Sequence, residues 1–142
     1  ANYQLPIILS THPRTAKKMK QVKEDDLANI QIHKPFSFSD YSKLQMDSYA
    51  VLSDSGTISE ESSILGFNAL NLRESHERPE AMEVGKVQLV GLDTDNILRG
   101  LSNLNVLNHR QVTDYTIDKV SNTIAALIES YTHYVQRNVW KK

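Results

Sequence analysis

The sequence contains no cysteine, which excludes a disulfide scaffold, thiolate zinc ligands and thiol catalysis. Neither sign of charge is in excess, because 16 Lys and Arg oppose 17 Asp and Glu, and this argues against a cationic nucleic-acid-binding surface. No apolar run approaches the roughly 18 residues of a membrane span. The start lacks the basic and apolar regions of a signal peptide. We therefore expect a cytoplasmic protein that contacts neither nucleic acid nor membrane.

The length of 142 residues and a hydrophobic content of 39% predict one soluble globular domain. A chain of this size buries about 68–70% of its unfolded surface, so its core needs no covalent staples. Position 1 is Ala rather than Met, from which we expect a domain taken from a longer polypeptide.

Short apolar runs alternate with helical patterns along the chain. The predicted strands are 6–10, 30–33, 49–53, 68–72 and 86–90. The predicted helices are 14–22, 40–47, 58–65, 80–84, 94–104 and 116–139, the last with one apolar stripe, and residues 104–114 are irregular. This alternation predicts an α/β fold, in which a Rossmann-like, doubly wound parallel sheet is covered by helices on both faces.

The loop after the third predicted strand is the most informative one. Ser55, Gly56 and Thr57 join that strand to a helix, where backbone N–H groups and the helix dipole favour an anion such as phosphate. Thr57 and Glu60 also fit a capping box, which is a purely local explanation. Both interpretations are compatible with each other.

Charged residues surround this loop in the predicted fold. Glu61 is placed to accept the hydroxyls of a ribose, although it also complements the helix dipole. Arg73 and Arg78 suit a diphosphate, although composition alone favours an exposed, self-paired charged loop. His76, in the same loop, is a candidate acid–base group or an incidental surface histidine.

Two further groups lie near other strand ends. His12 and Arg14 follow the first strand and meet either an anion, a partner domain or nothing beyond a turn. Phe36, Phe38 and Tyr41 follow the second strand, where an aromatic ring either stacks on a nucleobase or packs in the core.

Several familiar motifs are absent from the sequence. Without G-x-G-x-x-G or a Walker lysine, neither a nicotinamide cofactor nor a P-loop is indicated. There is also no H-E-x-x-H motif, calcium loop or Ser-His-Asp order. The residues alone therefore predict a nucleotide or sugar-phosphate binding domain and identify no reaction.

Two sequence blocks carry a family resemblance. Residues 53–62 read Ser-Asp-Ser-Gly-Thr-Ile-Ser-Glu-Glu-Ser, and residues 72–81 read Leu-Arg-Glu-Ser-His-Glu-Arg-Pro-Glu-Ala. Together with their spacing, they resemble the C-terminal half of the non-hydrolysing UDP-N-acetylglucosamine 2-epimerases. The wording of the first block and the ending Val-Trp-Lys-Lys look closest to the branch acting on UDP-N-acetyl-L-talosamine or fucosamine-type sugars.

The resemblance implies a two-domain GT-B fold, of which residues 1–142 form the C-terminal, UDP-binding domain. It implies that Ser55, Gly56 and Thr57 hold the diphosphate, that Glu61 takes the ribose hydroxyls and that Arg78 contacts the diphosphate. The long helix within 116–142 is expected to pack toward the N-terminal domain.

The resemblance also implies roles for residues in the first third of the chain, and two of them depart from the family pattern. Tyr41 stands where the family usually has a Phe beside the uracil, and Phe36 where some members have a Gln, so the uracil-edge contact departs from the pattern. His12, with Arg14 beside it, lies near an allosteric or interdomain region.

The implied reaction inverts C2 of a UDP-N-acetylhexosamine for capsule, O-antigen or other surface polysaccharide synthesis. UDP is eliminated with the C2 proton and then re-added. The resemblance places the acid–base carboxylates and an essential histidine before this chain, so no catalytic residue is expected within it. It implies no cofactor or metal, a UDP-sugar substrate and a homodimer of the full-length protein.

Two other functions remain open from the sequence. A GT-B glycosyltransferase would use a similar helix N-terminus and a Glu for its nucleotide-sugar. A non-catalytic nucleotide-sugar-binding module would need no acid–base residues.

Overall fold

Strands and helices alternate along the residues that the computed structural model describes, which are 3–23, 27, 29–76, 78–104 and 111–141. The strands are β1 (Ile7–Ser10), β2 (Ile30–His33), β3 (Val51–Ser53), β4 (Ala69–Asn71) and β5 (Val87–Leu89). The helices are α1 (Pro13–Met19), α2 (Phe38–Asp47), α3 (Ile58–Leu65), α4 (Glu80–Glu83), α5 (Thr94–Ser102) and α6 (Val120–Asn138), with a 3-10 helix at Thr113–Tyr115. The α/β class predicted from the sequence is confirmed.

Two helix boundaries differ most from the prediction. The helix α1 ends at Met19 rather than at 22, because the chain tightens into a turn in which the Gln21 N–H bonds the carbonyl of Lys18. The helix α6 begins at Val120 rather than at 116, because Lys119 adopts φ 56°, which interrupts a right-handed helix. Residues 105–110 of the predicted irregular connection lie outside the described residues.

The chain divides into two compact units, Ala1–Asp47 and Ser48–Lys142. In the first unit, β1 and β2 form a two-stranded parallel sheet. Thr11 extends the pairing beyond β1, because both its N–H and its hydroxyl donate to the carbonyl of His33 at 3.0 Å. The described strands therefore pair in two sheets, whereas the sequence predicts one.

The second unit contains a parallel sheet with the order β3-β4-β5. Ser53, Asn71 and Leu89 are register partners at the carboxyl ends of these strands. The loops that follow the three strands therefore meet at one edge, which is where parallel sheets bind ligands.

The central strand β4 is buried on both faces of its sheet. Ala69 packs with Ile58 of α3 and Ala81 of α4. The next residue, Leu70, packs on the other face with Ile97 of α5. Because successive strand residues point to opposite faces, helices cover both sides of this sheet, as predicted.

The contact between α5 and the sheet depends on a glycine. A Cβ atom at Gly100 would lie 2.9 Å from Cγ1 of Val90 and 3.1 Å from Cδ2 of Leu70. Gly100 therefore lets the helix approach the sheet closely.

The helix α6 has the apolar stripe that the sequence predicts, but none of its residues is buried. The stripe consists of Val120, Ile124, Leu127, Ile128, Tyr131 and Val135. Exposed fractions of 50% at Ile124 and 62% at Ile128 show that the second unit does not cover it. The helix is therefore amphipathic, and most of its apolar stripe is exposed.

Candidate anion-binding site

The helix α3 begins immediately beyond the carboxyl end of β3. It ends at Gly66, whose φ of 83° suits a left-handed C-cap and whose N–H bonds the carbonyl of Ser62. The opposite end points toward the edge where the loops meet. The first N–H groups of a helix have no partner within it, so this end attracts anions.

A chain of hydroxyl groups lines the start of α3. The Thr57 hydroxyl donates to Oε1 of Glu61 at 2.7 Å, since an ionised carboxylate can only accept. The Ser55 hydroxyl lies 2.9 Å from Oγ1 of Thr57 and therefore donates to it. Ser55 also accepts the N–H of Thr57 at 3.3 Å. The predicted ligands Ser55, Thr57 and Glu61 thus form one hydrogen-bonded series.

The capping box predicted at Thr57 and Glu60 is wrong. Thr57 makes no side-chain cap hydrogen bond to the helix backbone, because its hydroxyl is directed to Glu61. Glu60 is drawn away instead, since its Oε1 pairs with Nε of Arg78 at 2.8 Å. A tertiary ion pair has replaced the local cap.

Two guanidinium groups face Gly56 at the start of α3. A Cβ atom on Gly56 would lie 2.7 Å from Nη1 of Arg78 and 3.8 Å from Nη1 of Arg73. Only a residue without a side chain leaves this space open. The positive helix end and two cations therefore converge on one small volume, which is the arrangement expected for a phosphate or diphosphate.

Arg78 is oriented by a charged cluster behind it. Glu60 holds its Nε, and the hydroxyl of Tyr115 donates to Oε2 of Glu80 at 3.4 Å. Burial, followed by the negative charges of Glu80 and Glu60, raises the pKa of Tyr115 to about 12, although Arg78 acts in the opposite direction. Tyr115 therefore stays protonated and remains a donor throughout the physiological range of pH.

The pocket between these loops includes residues that the sequence analysis did not select. Besides Gly56, Arg73, His76 and Arg78, it is lined by Ser59, Asn71 and Met82. Asn71 stands out as a polar residue in an otherwise apolar strand, and this signal was available in the sequence. His76 lines this pocket as well.

The other predicted site residues belong to the first unit. His12 caps α1, because its Nδ1 accepts the N–H of Arg14 at 3.3 Å, and both side chains are exposed. Phe36 contacts the ring of His33, with centroids 5.2 Å apart. Tyr41 is half-buried in α2, and the exposed Phe38 begins that helix. The structure thus brings together Ser55, Gly56, Thr57, Glu61 and Arg78, all in the second unit.

The described residues contain no group of three or more His, Cys, Asp or Glu side chains that could hold a metal ion. No helix within the same ranges is long and apolar enough to cross a bilayer.

Comparison with known proteins identifies the family. Residues 1–129 match the sequence profile of the family described as UDP-N-acetylglucosamine 2-epimerase. The chain belongs to this family. The arginine pair at Gly56 therefore belongs to a chain whose family is named for a nucleotide-sugar.

Curated epimerases match over part of their length. The UDP-N-acetylglucosamine 2-epimerase of Methanocaldococcus jannaschii is 34% identical over 103 residues, which cover 70% of this chain and 28% of that protein. The Campylobacter jejuni protein of the same name is 37% identical over 100 residues, covering 69% and 26%. The matched segments span little more than a quarter of these epimerases.

Solved epimerase structures share the fold. The Rickettsia bellii UDP-N-acetylglucosamine 2-epimerase superposes with a TM-score of 0.81 at 40% identity, covering 99% of this chain and 40% of that one. The Methanocaldococcus jannaschii enzyme, solved in complex with UDP-GlcNAc and UDP, gives 0.77 at 28% identity, covering 91% and 37%. The Rossmann-like, GT-B type of fold predicted from the sequence is confirmed by these epimerases.

Proposed function

We propose that this chain is the UDP-binding half of a nucleotide-sugar 2-epimerase and that it forms the C-terminal part of that enzyme. The convergence of Arg73 and Arg78 on Gly56, at the start of α3, is the observation that carries the proposal. Two guanidinium groups and the positive N-terminal end of α3 complement the charge of a diphosphate. Relatives named as epimerases, one of them solved with UDP-GlcNAc and UDP, make UDP the preferred nucleotide.

In this proposal, different residues bind different parts of the nucleotide. Ser55, Gly56, Thr57 and Arg78 hold the diphosphate, with Arg73 as a second cation beside it. Glu61 lies one helical turn beyond Thr57, where its carboxylate accepts the ribose hydroxyls. Tyr41 and Phe36 serve the uracil, with Tyr41 stacking on its face. His12 and Arg14 serve an allosteric or interdomain contact.

The proposed reaction inverts C2 of a UDP-N-acetylhexosamine. The C2 proton is removed while the C1–O bond breaks, which releases UDP and leaves a 2-acetamidoglycal. Reprotonation of C2 on the opposite face and re-addition of UDP at C1 restore the bond. The cations at Gly56 stabilise the negative charge that develops on the departing diphosphate, and acid–base groups outside this chain move the proton.

The apolar stripe of α6 gives the proposed domain a partner surface. Its exposed residues include Ile124, Leu127 and Ile128, and the matched epimerases are more than twice as long as this chain. We assign the stripe to packing against the N-terminal domain of the same polypeptide. A homodimer, a cytoplasmic location and a role in surface polysaccharide synthesis, with a talosamine- or fucosamine-type substrate, complete the proposal.

The ribose contact predicts a preference for UDP over 2′-deoxy-UDP. Removing one hydroxyl removes a hydrogen bond to a charged acceptor, so we expect about tenfold weaker binding by calorimetry. In the Glu61→Gln variant, we expect this preference to shrink to less than about threefold. An equal preference in both proteins would remove Glu61 from the ribose site.

Deuterium incorporation separates the proposed reaction from glycosyl transfer. In D2O, the complete polypeptide that carries this sequence is expected to place deuterium at C2 of UDP-N-acetylglucosamine, as read by proton NMR. A glycosyltransferase or a non-catalytic module would leave C2 protonated. The absence of UDP binding at millimolar concentration by the folded chain would contradict the nucleotide site itself.

A further inference from the structure

Asn71 has an unpaired side-chain oxygen in the pocket beside the two arginines. The residue is only 3% exposed, and its Oδ1 has no hydrogen-bond donor among the described residues. It ends the central strand β4 and lines the same pocket as Gly56 and Arg78. Buried side-chain oxygens almost always have a donor, so one left unpaired in a binding pocket requires an explanation.

The chemistry of the pocket limits what this partner can be. A carbonyl oxygen only accepts, and the phosphate oxygens held by Arg73 and Arg78 at neutral pH also only accept. The missing partner is therefore a hydroxyl or an N–H group. In a nucleotide-sugar whose ribose hydroxyls bind Glu61, such donors beside the diphosphate belong to the sugar.

We propose that Asn71 binds the sugar of the nucleotide-sugar by accepting a hydrogen bond from a hydroxyl or amide N–H group. The inference rests on the proposed function, because it requires a diphosphate at Gly56. The sheet holds the backbone of Asn71 in place, because the N–H of Val90 donates to the backbone carbonyl of Asn71 at 2.9 Å. This fixes where the side chain starts. Asn71 thus contributes to the distinction between a nucleotide-sugar and the free nucleotide.

The Asn71→Leu variant tests this inference, because leucine has a similar size and no acceptor. With UDP-N-acetylglucosamine as the probe, we expect Kd to rise about fivefold, the effect of one neutral hydrogen bond. For UDP, we expect a change below about twofold. The melting temperature of the ligand-free protein should stay equal or rise, because no unpaired acceptor remains buried.

The Asn68→Leu variant is the matched control, because Asn68 immediately precedes β4. Its Nδ2 donates to the carbonyl of Tyr49 at 3.3 Å, so its loss should lower the melting temperature without favouring either ligand. The Asn71→Val variant repeats the test with a residue that suits a strand. All variants are made in the complete polypeptide.

Four results would overturn the inference. Equal weakening of UDP and UDP-N-acetylglucosamine would place Asn71 on the nucleotide or give it only a structural role, as would unfolding of both Asn71 variants. Unchanged affinities for both ligands would mean that Oδ1 binds only water. If the unmodified protein binds neither probe at millimolar concentration, the proposed function fails as well, and this result is distinct from the other three.

Discussion

Replacing Arg78 with alanine is expected to weaken UDP binding about a hundredfold. The side chain presents Nη1 to Gly56 and is held at Nε by Glu60, so its charge stands at the helix N-terminus in a fixed orientation. Charge-assisted hydrogen bonds to phosphate contribute about 1.5–3 kcal/mol each, and an arginine can make two of them. Isothermal titration calorimetry with UDP measures the loss. Arg78→Lys should recover part of it, because lysine keeps the charge without the fork.

The Arg137→Ala variant controls for the loss of one positive charge. Arg137 is exposed in the last turn of α6 and has no proposed role in nucleotide binding. We expect less than a twofold change in the Kd for UDP. The Kd of the Glu60→Gln variant should lie between those of the Arg78→Ala and Arg137→Ala variants. The guanidinium of Arg78 remains there, but the ion pair that orients it is weakened. Equal affinities in the Arg78 and Arg137 variants would mean that the diphosphate does not bind at Gly56.

Replacing Leu70 with alanine is expected to lower the free energy of unfolding by about 2–5 kcal/mol. Leu70 is fully buried in β4 and packs with Val90, Ile97 and Leu104. The truncation would open a cavity between the sheet and α5, where Gly100 already brings the two layers into close contact. Urea denaturation followed by far-UV circular dichroism measures the change.

Leu92→Ala makes the same chemical change at a site that is 71% exposed. It removes little buried surface, so we expect an effect below about 0.5 kcal/mol. Similar midpoints for the two variants would contradict the described packing of β4 against α5.

The sequence predicts two elements beside the candidate site closely, α3 and β4. The helix α3 has the predicted bounds because a small-residue turn precedes it and Gly66 ends it with a positive φ. The strand β4 lies inside its predicted range because an apolar run stands between two loops. Gly56, Thr57 and Glu61 come together because they share one turn and the first turn of one helix.

Contacts between distant residues could not be predicted in the same way. The capping-box pattern failed at Glu60 because Arg78, from another loop, pairs with that carboxylate. Asn71 was missed as a site residue because its significance depends on the pocket formed by neighbouring loops. The exposure of the α6 stripe was likewise invisible to periodicity, which identifies an apolar face and not what covers it.

The hydrogen-bonded series from Ser55 through Thr57 to Glu61 links the proposed phosphate contact to the proposed ribose contact. Ser55 has one hydroxyl proton, and in the free protein it goes to Thr57. If the Ser55 hydroxyl donates its hydrogen bond to a phosphate oxygen instead, Thr57 loses that donor. The hydrogen bond from the Thr57 hydroxyl to Glu61 then becomes weaker, because the Ser55 hydrogen bond no longer polarises it. The free energies of the phosphate and ribose contacts are then coupled through two hydroxyl groups, and the affinities of separate fragments should not add up to that of the whole nucleotide.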